Sequence, residues 1–550
     1  MLKVKCLFKR AGCAGFVGLL AALSCLGAAP AQSAGTEFKK DEAGLYSDVF
    51  NDNIYYEFVD TLNFENLYRK ISGKKARAQD VNVYDEVPDS VFFTNRHARK
   101  RLSAEELARG YRENDGPDLS EALTVVSGKS EGMHPGFFVK DKRGDLYLIK
   151  FDPADNLELT TSAEIIGSRI YHAMGYPATQ SDIITVLPSK FVVSPDAKFY
   201  DHTGFKRPLT TEKLEELLLF IPYTDEGKLR ANAIKILSGD NRGPFGFRGN
   251  RANDPEDQIP HEHRRELRAV KILASWLNNY DARRSNTMAT IVTKDGQSVF
   301  ERHQMDFNAS LGAGTHEAKP PMFTHEHMLD YGEGTKALLS LGLWEKPWQK
   351  RWREAGEQTG SPAVGYFDNR EFNPGKFKTQ LPARAFKNVT RADAFWAAKN
   401  IMAFSDDDVR AIVKAAQYKR AEDADMIAKV LIERRDLIGR YWFEHANALD
   451  NFDVKGGKLS FEDLAVTYKF EPAAEASYKV AVARMHGRKR RAVTAFESSA
   501  PEISLDSAWF DGAETVELTI RVLRRGWKKP GPYVRVLLDK SAIKEIRHQD

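Results

Sequence analysis

WLNNYDARRSN, residues Trp276–Asn286, decides how this chain is read. It closes an amphipathic run, Glu262–Leu277, whose apolar residues Leu267, Val270, Ile272, Leu273 and Trp276 recur at helical spacing. Just past the helix end it places Asp281 and Asn286 five positions apart. A predicted hairpin follows, Met288–Val292 and Ser298–Gln304 across Lys294-Asp295-Gly296, and Asp306 stands at its end. Phosphoryl transfer asks little covalent chemistry of a protein. It needs oxygen ligands for divalent cations, a carboxylate to orient the attacking hydroxyl, and cations to spread the developing charge. An Asp, an Asn five later and a second Asp beyond a strand pair can supply the first two. Arg283, two after Asp281, offers a cation to steady the transferred group; the bland reading is a solvated loop arginine. The spacing alone is weak, because Asp48 and Asn53 repeat it in a polar stretch with no second Asp placed to help.

Upstream, Ala122–Ser127, Gly136–Lys140 and Asp145–Phe151 read as strands separated by Gly- and Pro-containing turns. Lys150 ends the third of them, in YLIKFD. A helix is expected over Ser162–Met174, capped by Thr161 or Ser162 and stopped by Gly175, with Glu164 in its first turn. Taken singly, Lys150 reads as a lysine snorkelling from a sheet and Glu164 as an acid favoured by the helix dipole. The segment SGKSEGMHPG (Ser127–Gly136) carries Gly128, Gly132 and Gly136, which permit close backbone approach, and a run of N–H groups there can bind anionic oxygens. A plain hairpin explains it nearly as well.

Other motifs weigh less. Gly128-Lys129-Ser130-Glu131-Gly132 matches G-x-S-x-G, but a nucleophile elbow needs a helix directly after the Ser, and a strand follows here. Lys129-Ser130 imitates the end of a Walker A motif, with Leu123 where its first Gly belongs. The runs His261-Glu262-His263 and His325-Glu326-His327 could bind zinc if each lay on a strand, yet neither forms H-E-x-x-H, and capping is the bland reading. Arg488–Arg491 reads as a solvated basic turn.

The first residues form a targeting pattern. Lys3, Lys5, Lys9 and Arg10 precede an apolar stretch, Ala11–Ala28, and Ala29-Pro30-Ala31 is a cleavage site. Residues 1–31 are therefore expected to be a signal peptide cut after Ala31, giving a periplasmic or secreted protein. A lipoprotein cut before Cys25 is the lesser alternative. No later stretch is long and apolar enough to span a bilayer. All three cysteines (Cys6, Cys13 and Cys25) fall in this segment, so the mature chain has no disulfide framework and no thiol chemistry. Cleavage also removes four basic and no acidic residues, taking the formal charge from +4 to zero. A nucleic-acid footprint is not supported.

The chain of 550 residues divides as follows: signal peptide 1–31, N-terminal extension 32–118, a strand-rich block with one helix at 119–235, a mostly helical block at 236–450, and, past a boundary near Asn451–Gly457, a β domain at 457–550. In the order and type of Lys150, Glu164, Asp281, Asn286 and Asp306 it resembles the protein-kinase-like superfamily, closest to its atypical bacterial HipA- and CotH-like branch. It also resembles uncharacterised exported bacterial proteins sharing strings such as DEVPDSVFFTNR (Asp85–Arg96) and AFWAAKNIMAF (Ala394–Phe404). The resemblance implies an α+β, two-lobed kinase-like fold with a β-rich N-lobe and a helical C-lobe, followed here by a sandwich-like all-β domain. It implies ATP and Mg²⁺ binding, with Lys150 on the phosphates and paired to Glu164, Gly128 and Gly132 over the nucleotide, Asp281 as the catalytic carboxylate beside Arg283, and Asn286 and Asp306 as metal ligands. Asn279-Tyr280 stands where kinases carry His-Arg, and Asn308 where D-F-G has Gly. The expected function is an exported ATP-dependent phosphotransferase acting on an unknown protein or envelope acceptor. The alternatives are a catalytically degenerate pseudokinase scaffold in the envelope and a metal-dependent envelope hydrolase using the His-Glu-His runs.

Overall fold

The computed structural model describes residues 45–64, 68, 72, 75–129, 135–201, 204–251, 254, 256–294, 296–320, 322–355, 360–524, 531–540 and 542–549. Residues 1–31, Ser130 and Gly132 lie outside the described residues, as do the other residues of 130–134. No described helix is long and apolar enough to cross a membrane.

The N-lobe is a seven-stranded sheet: β1 (Leu123–Gly128), β2 (Gly136–Lys140), β3 (Leu146–Phe151), β4 (Ser181–Val186), β5 (Phe191–Tyr200), β6 (Lys206–Pro208) and β7 (Leu229–Lys235), in the order β4-β7-β3-β2-β1-β5-β6. All neighbours are antiparallel except β1 and β5. β7 is fully buried although its sequence, LRANAIK, alternates apolar with polar residues: Leu229, Ala231 and Ala233 join the core, while Arg230 and Asn232 on the other face bond to Thr161. Val125, Val139, Ile149, Phe151 and Ala231 belong to the apolar core under this sheet.

Helix α1 (Leu159–Met174) lies on the other face of the sheet, where Arg230 and Asn232 of β7 donate to Thr161, and is buried on nearly all sides. It begins at Leu159, earlier than the Thr161/Ser162 cap expected from the sequence. The cap is the Asp152 carboxylate at the end of β3, which accepts from the N–H groups of Glu158, Thr160 and Thr161 and from the hydroxyls of Thr160 and Thr161, at 2.8–3.0 Å. A buried carboxylate with five donors satisfies the orphan N–H groups of the first turn from outside the helix. Arg230 on β7 donates to Ser162 Oγ and to the carbonyls of Ala416 and Gln417, tying this helix start to the C-lobe.

The C-lobe is built on α2 (Arg265–Leu277), α3 (Arg391–Met402), α4 (Asp406–Ala415) and α5 (Ala421–His445). The Thr390–Asp393 and Ser405–Asp408 capping boxes read from the sequence both form. β8 (Asp240–Asn241), β9 (Thr287–Lys294) and β10 (Gln297–Gln304) make a small sheet next to α2 in the chain.

The last segment is a sandwich. One sheet holds β11 (Leu449–Lys455), β12 (Lys458–Asp463) and β15 (Glu502–Ser504). The other holds β13 (Ala476–His486), β14 (Lys489–Ser498), β16 (Thr515–Arg524), β17 (Tyr533–Leu538) and β18 (Ile543–His548). Both contribute to one core that includes Leu459, Phe461, Val480, Leu518 and Val536. Asn451–Gly457, where the sequence reading puts a domain boundary, lies within the β11 strand and its tight turn into β12. The fold is thus α+β and two-lobed, with a C-terminal all-β sandwich.

Candidate active site

Helix α2 ends where its chain must turn sharply. Trp276 is fully buried and its indole N–H donates to the Leu431 carbonyl at 2.8 Å, fixing the last turn. Asn278 then takes the left-handed conformation (φ 55°) that asparagine tolerates better than most residues, and the helix stops. The loop that follows is held from within. The Asp281 N–H donates to Asn279 Oδ1 at 3.1 Å, and Asn286 Nδ2 donates to the Asp281 carbonyl (2.8 Å) and to its Oδ2 (3.0 Å). Both amide protons of Asn286 thus face Asp281, which leaves its Oδ1 as a lone-pair donor. The Arg283 Nε lies 3.1 Å from Asp281 Oδ1. Burial pushes the Asp281 carboxyl up to about 6, against the opposing charge of Arg283.

The segment after β10 is tied to that loop, since Met305 N–H donates to the Asn286 carbonyl at 3.1 Å. Asp306 has φ 61°, a strained choice for an aspartate. Such outliers persist only where the surroundings enforce them, and they concentrate at functional sites. The enforcement comes from α1. Phe307 N–H donates to Glu164 Oε2 at 2.7 Å, and the Phe307 ring lies against Tyr171 with centroids 4.6 Å apart. One turn along from Glu164, Gly167 leaves room for Phe307: a Cβ there would stand 2.4 Å from the Phe307 Cβ.

Asp306 is turned to the sheet, where Lys150 Nζ donates to its Oδ1 at 2.7 Å. The expected partner of Lys150 was Glu164. The ion pair instead goes to Asp306, and Glu164 acts on it through space only. Glu164 spends Oε2 on the Phe307 N–H, and its buried Oε1 has no hydrogen-bond partner among the described residues. Burial pushes this carboxyl up to about 7, with Lys150 pulling it down.

Two glycines of the Ser127–Gly136 segment lie within the described residues, and both are closely packed. A Cβ on Gly128 would meet the Phe199 Cβ at 2.5 Å, so this glycine is required by packing of β1 against β5. Gly136, opposite Lys150 in the β2–β3 register, would meet the Ile149 carbonyl at 2.3 Å. The cation that sequence reasoning missed is Lys129. Burial and the neighbouring charge of Lys150 push its ammonium down to about 8, while Asp306 pulls it up. The signal was present as the false Walker A ending.

The remaining motifs are structural. His261 is buried, with Nε2 2.9 Å from Asp257 Oδ2, Nδ1 3.1 Å from the Gly246 carbonyl, and its ring edge-on to Phe92 and Phe245. His327 Nδ1 lies 2.7 Å from the Thr379 carbonyl. Among the described residues no three His, Asp or Glu side chains gather as a ready-made metal cluster. For a hard cation such as Mg²⁺, which is held by one or two carboxylates and completed by water and phosphate oxygens, the Asp306 carboxylate and the Asn286 amide oxygen are a fitting oxygen-only donor set.

No protein-family profile matches the chain, and no curated protein matches it in sequence. Among solved structures it is similar to the Helicobacter pylori proinflammatory kinase CtkA, at 10% identity over 58% of this chain and 99% of that one, with a TM-score of 0.31. It is also similar to the Golgi casein kinase with Mn/ADP bound, at 11% identity over 75% and 94% of the two chains and a TM-score of 0.31. A second structure of the Golgi casein kinase gives 9% identity over 76% and 94%, with a TM-score of 0.29. The structure itself brings a strand lysine, a helix glutamate and two loop aspartates to one place.

Proposed function

We propose that the protein is a kinase-like phosphotransferase that moves the γ-phosphoryl group of ATP to a hydroxyl or carboxylate acceptor. The observation that carries this is the convergence of Lys150, Asp306 and Glu164 beside the Asp281–Asn286 loop, joined by hydrogen bonds rather than by sequence. Mg²⁺ bound at Asp306 and Asn286 supplies charge neutralisation across the phosphates. Lys150 and Lys129 hold phosphate oxygens. Glu164 Oε1, buried and without a hydrogen-bond partner among the described residues, is the place for the Lys150 ammonium once the Asp306 carboxylate is engaged elsewhere. Asp281 orients the acceptor hydroxyl and takes its proton. Arg283, now on Asp281, is within reach of the transferred group. The targeting pattern in residues 1–31 supports a site of action in the periplasm or outside the cell.

A second reading, a nucleotide-binding pseudokinase scaffold, draws on the Lys150–Asp306 pair, which occupies the metal-binding carboxylate with a cation. Thermal unfolding of the chain from residue 32, with and without Mg²⁺·ATP, tests the nucleotide site. A ligand at 100 times its Kd adds about 2.7 kcal/mol to the native state. The midpoint is expected to rise by a few degrees in the wild type and not in Asp306→Ala. No shift at millimolar ATP removes the nucleotide site. A shift without turnover, unaffected by Asp281→Ala, favours the scaffold.

A further inference from the structure

The C-lobe contains a cavity of about 830 Å³ that none of Lys150, Asp281, Asn286 and Asp306 lines. It borders the catalytic loop through Asn278 and Tyr280, and the segment after Asp306 reaches it through Lys319 and the whole His325-Glu326-His327 run. Its walls are aromatic, with Trp344, Trp348, Trp352 and Tyr366 among them.

The charges in this cavity do not balance. Its acids are largely committed. Glu326 accepts from Lys346 and from the Trp348 indole (2.9 Å), Glu333 from Lys336 (2.8 Å) and the Trp344 indole (3.0 Å), and Asp368 pairs with Arg370. Lys319 sits over the rings of Phe323 and Tyr280, 4.8 and 5.9 Å from their centroids. Lys271 projects from α2 into the cavity with neither hydrogen bond nor ion pair among the described residues. The charges that act on it are those of Lys75 and Lys378, both like its own, and together with burial they push it down to about 8. His327 is likewise held low by burial and by Lys378 and Lys271, against its bond to the Thr379 carbonyl. Lys378 has Asp330 as a partner, at 2.5 Å. A half-buried ammonium that shares its cavity with Lys378 and His327 is costly unless an anion completes the site.

We propose that this cavity binds an anionic small molecule, its carboxylate or phosphate on Lys271 and Lys378 and its body against the tryptophan wall. Its position beside Tyr280 makes this the acceptor pocket, a role that rests on the phosphotransferase reading; the binding itself does not. The His325-Glu326-His327 run then serves as cavity lining: Glu326 organises the wall through Lys346 and Trp348, and His327 adds polarity to the floor.

The test is tryptophan fluorescence, since three indoles line the cavity. The full chain is titrated with glucose 6-phosphate, galacturonate and glucose in the absence of nucleotide. A saturable change with one or both anions and none with glucose is expected, the phosphate or carboxylate arm identifying the anion. Lys271→Met is expected to weaken it by at least about tenfold, with Lys378→Gln as the second variant should Lys271→Met fail to fold. Asp306→Asn is expected to bind the anions unchanged, which separates this cavity from the nucleotide site. No response to either anion at millimolar concentration overturns the proposal. So does a response that survives Lys271→Met and Lys378→Gln, or one that disappears in Asp306→Asn.

Discussion

The side chains at the centre of this site are held where their ordinary chemistry is uncomfortable. Asp281 titrates at about 6 because burial outweighs the nearby arginine, so it is a carboxylate at neutral pH but a more basic one than in water. A raised carboxyl has a sign. Its stabilising contribution is fully present below the unfolded value near 3.8 and is lost as pH rises through about 6. Asp281→Asn is therefore expected to melt higher than the wild type at pH 8, by on the order of 1–2 kcal/mol of stability, and to lose that advantage by pH 4. The same variant is expected to lose phosphoryl transfer by about 10²–10⁴-fold. Wild-type transfer is expected to fall as pH drops through about 6, as the carboxylate takes up its proton. A pair of melting series and one pH–rate profile check all three. A variant that melts lower at pH 8 would mean that the Asn286 hydrogen bonds to Asp281 outweigh the burial of its charge.

At the scale of elements, the site depends on one face of α1. Glu164 and Gly167 stand one turn apart on it, the first holding the Phe307 N–H and the second making room for the Phe307 side chain. Propensity alone argues against Gly167, since alanine in a helix interior is better by about 1 kcal/mol. Gly167→Ala is nonetheless expected to destabilise the protein by about 1–3 kcal/mol, because the new methyl and the Phe307 Cβ cannot occupy 2.4 Å. It is also expected to reduce the Mg²⁺·ATP melting shift, since displacing Phe307 displaces Asp306. Urea unfolding with and without nucleotide measures both. A more stable Gly167→Ala with an intact shift would show that helix propensity rules there and that α1 does not position the loop.

The whole molecule is drawn together at Asp85, in the segment before the N-lobe. Burial alone would raise this carboxyl, but Arg265 on α2, His548 on the last strand and Arg77 hold it well below its ordinary value. Its Oδ1 accepts from Arg265 at 3.0 Å and from Arg77 at 2.8 Å, and Oδ2 meets His548 Nδ1 at 3.0 Å. The other His548 nitrogen reaches the Leu449 carbonyl at 2.8 Å, and its ring packs on Phe395. Lys399 of α3 similarly bridges Glu86 and Asp450. The sandwich is thus fastened to the C-lobe through buried charge. Removing one partner of a buried ion pair costs about 3–5 kcal/mol. A chain ending at Gly456 strips Asp85 of His548 and leaves β11 without its partner β12 and without the sandwich core. It is expected to give no cooperative melting transition. A soluble, cooperatively melting truncation that still binds Mg²⁺·ATP would instead establish the sandwich as an independent module.

What could be read from the sequence was what local rules decide. The amphipathic period of α2, the capping boxes at Thr390 and Ser405, the hairpin before Asp306 and the Asp281-x₄-Asn286 pair are short-range patterns, and they appear where expected. β7 was not legible, because Arg230 and Asn232 put polar side chains into an interior strand, and the groups that satisfy them, on Thr161, Ser162 and Ala416, lie far away in the chain. The start of α1 was misplaced because its cap comes from Asp152, six or more positions upstream, and not from the residue next to the helix. Asn451–Gly457 reads from the sequence as a domain boundary, and only pairing with β12 makes most of it a strand. Charge partners were beyond the sequence altogether. That Lys150 turns to Asp306, that Glu164 holds the Phe307 N–H, and that Lys271 and Lys378 line one cavity are facts of burial. Burial sets the local dielectric and hence which charges must meet, and it exists only once residues far apart in the chain have packed together.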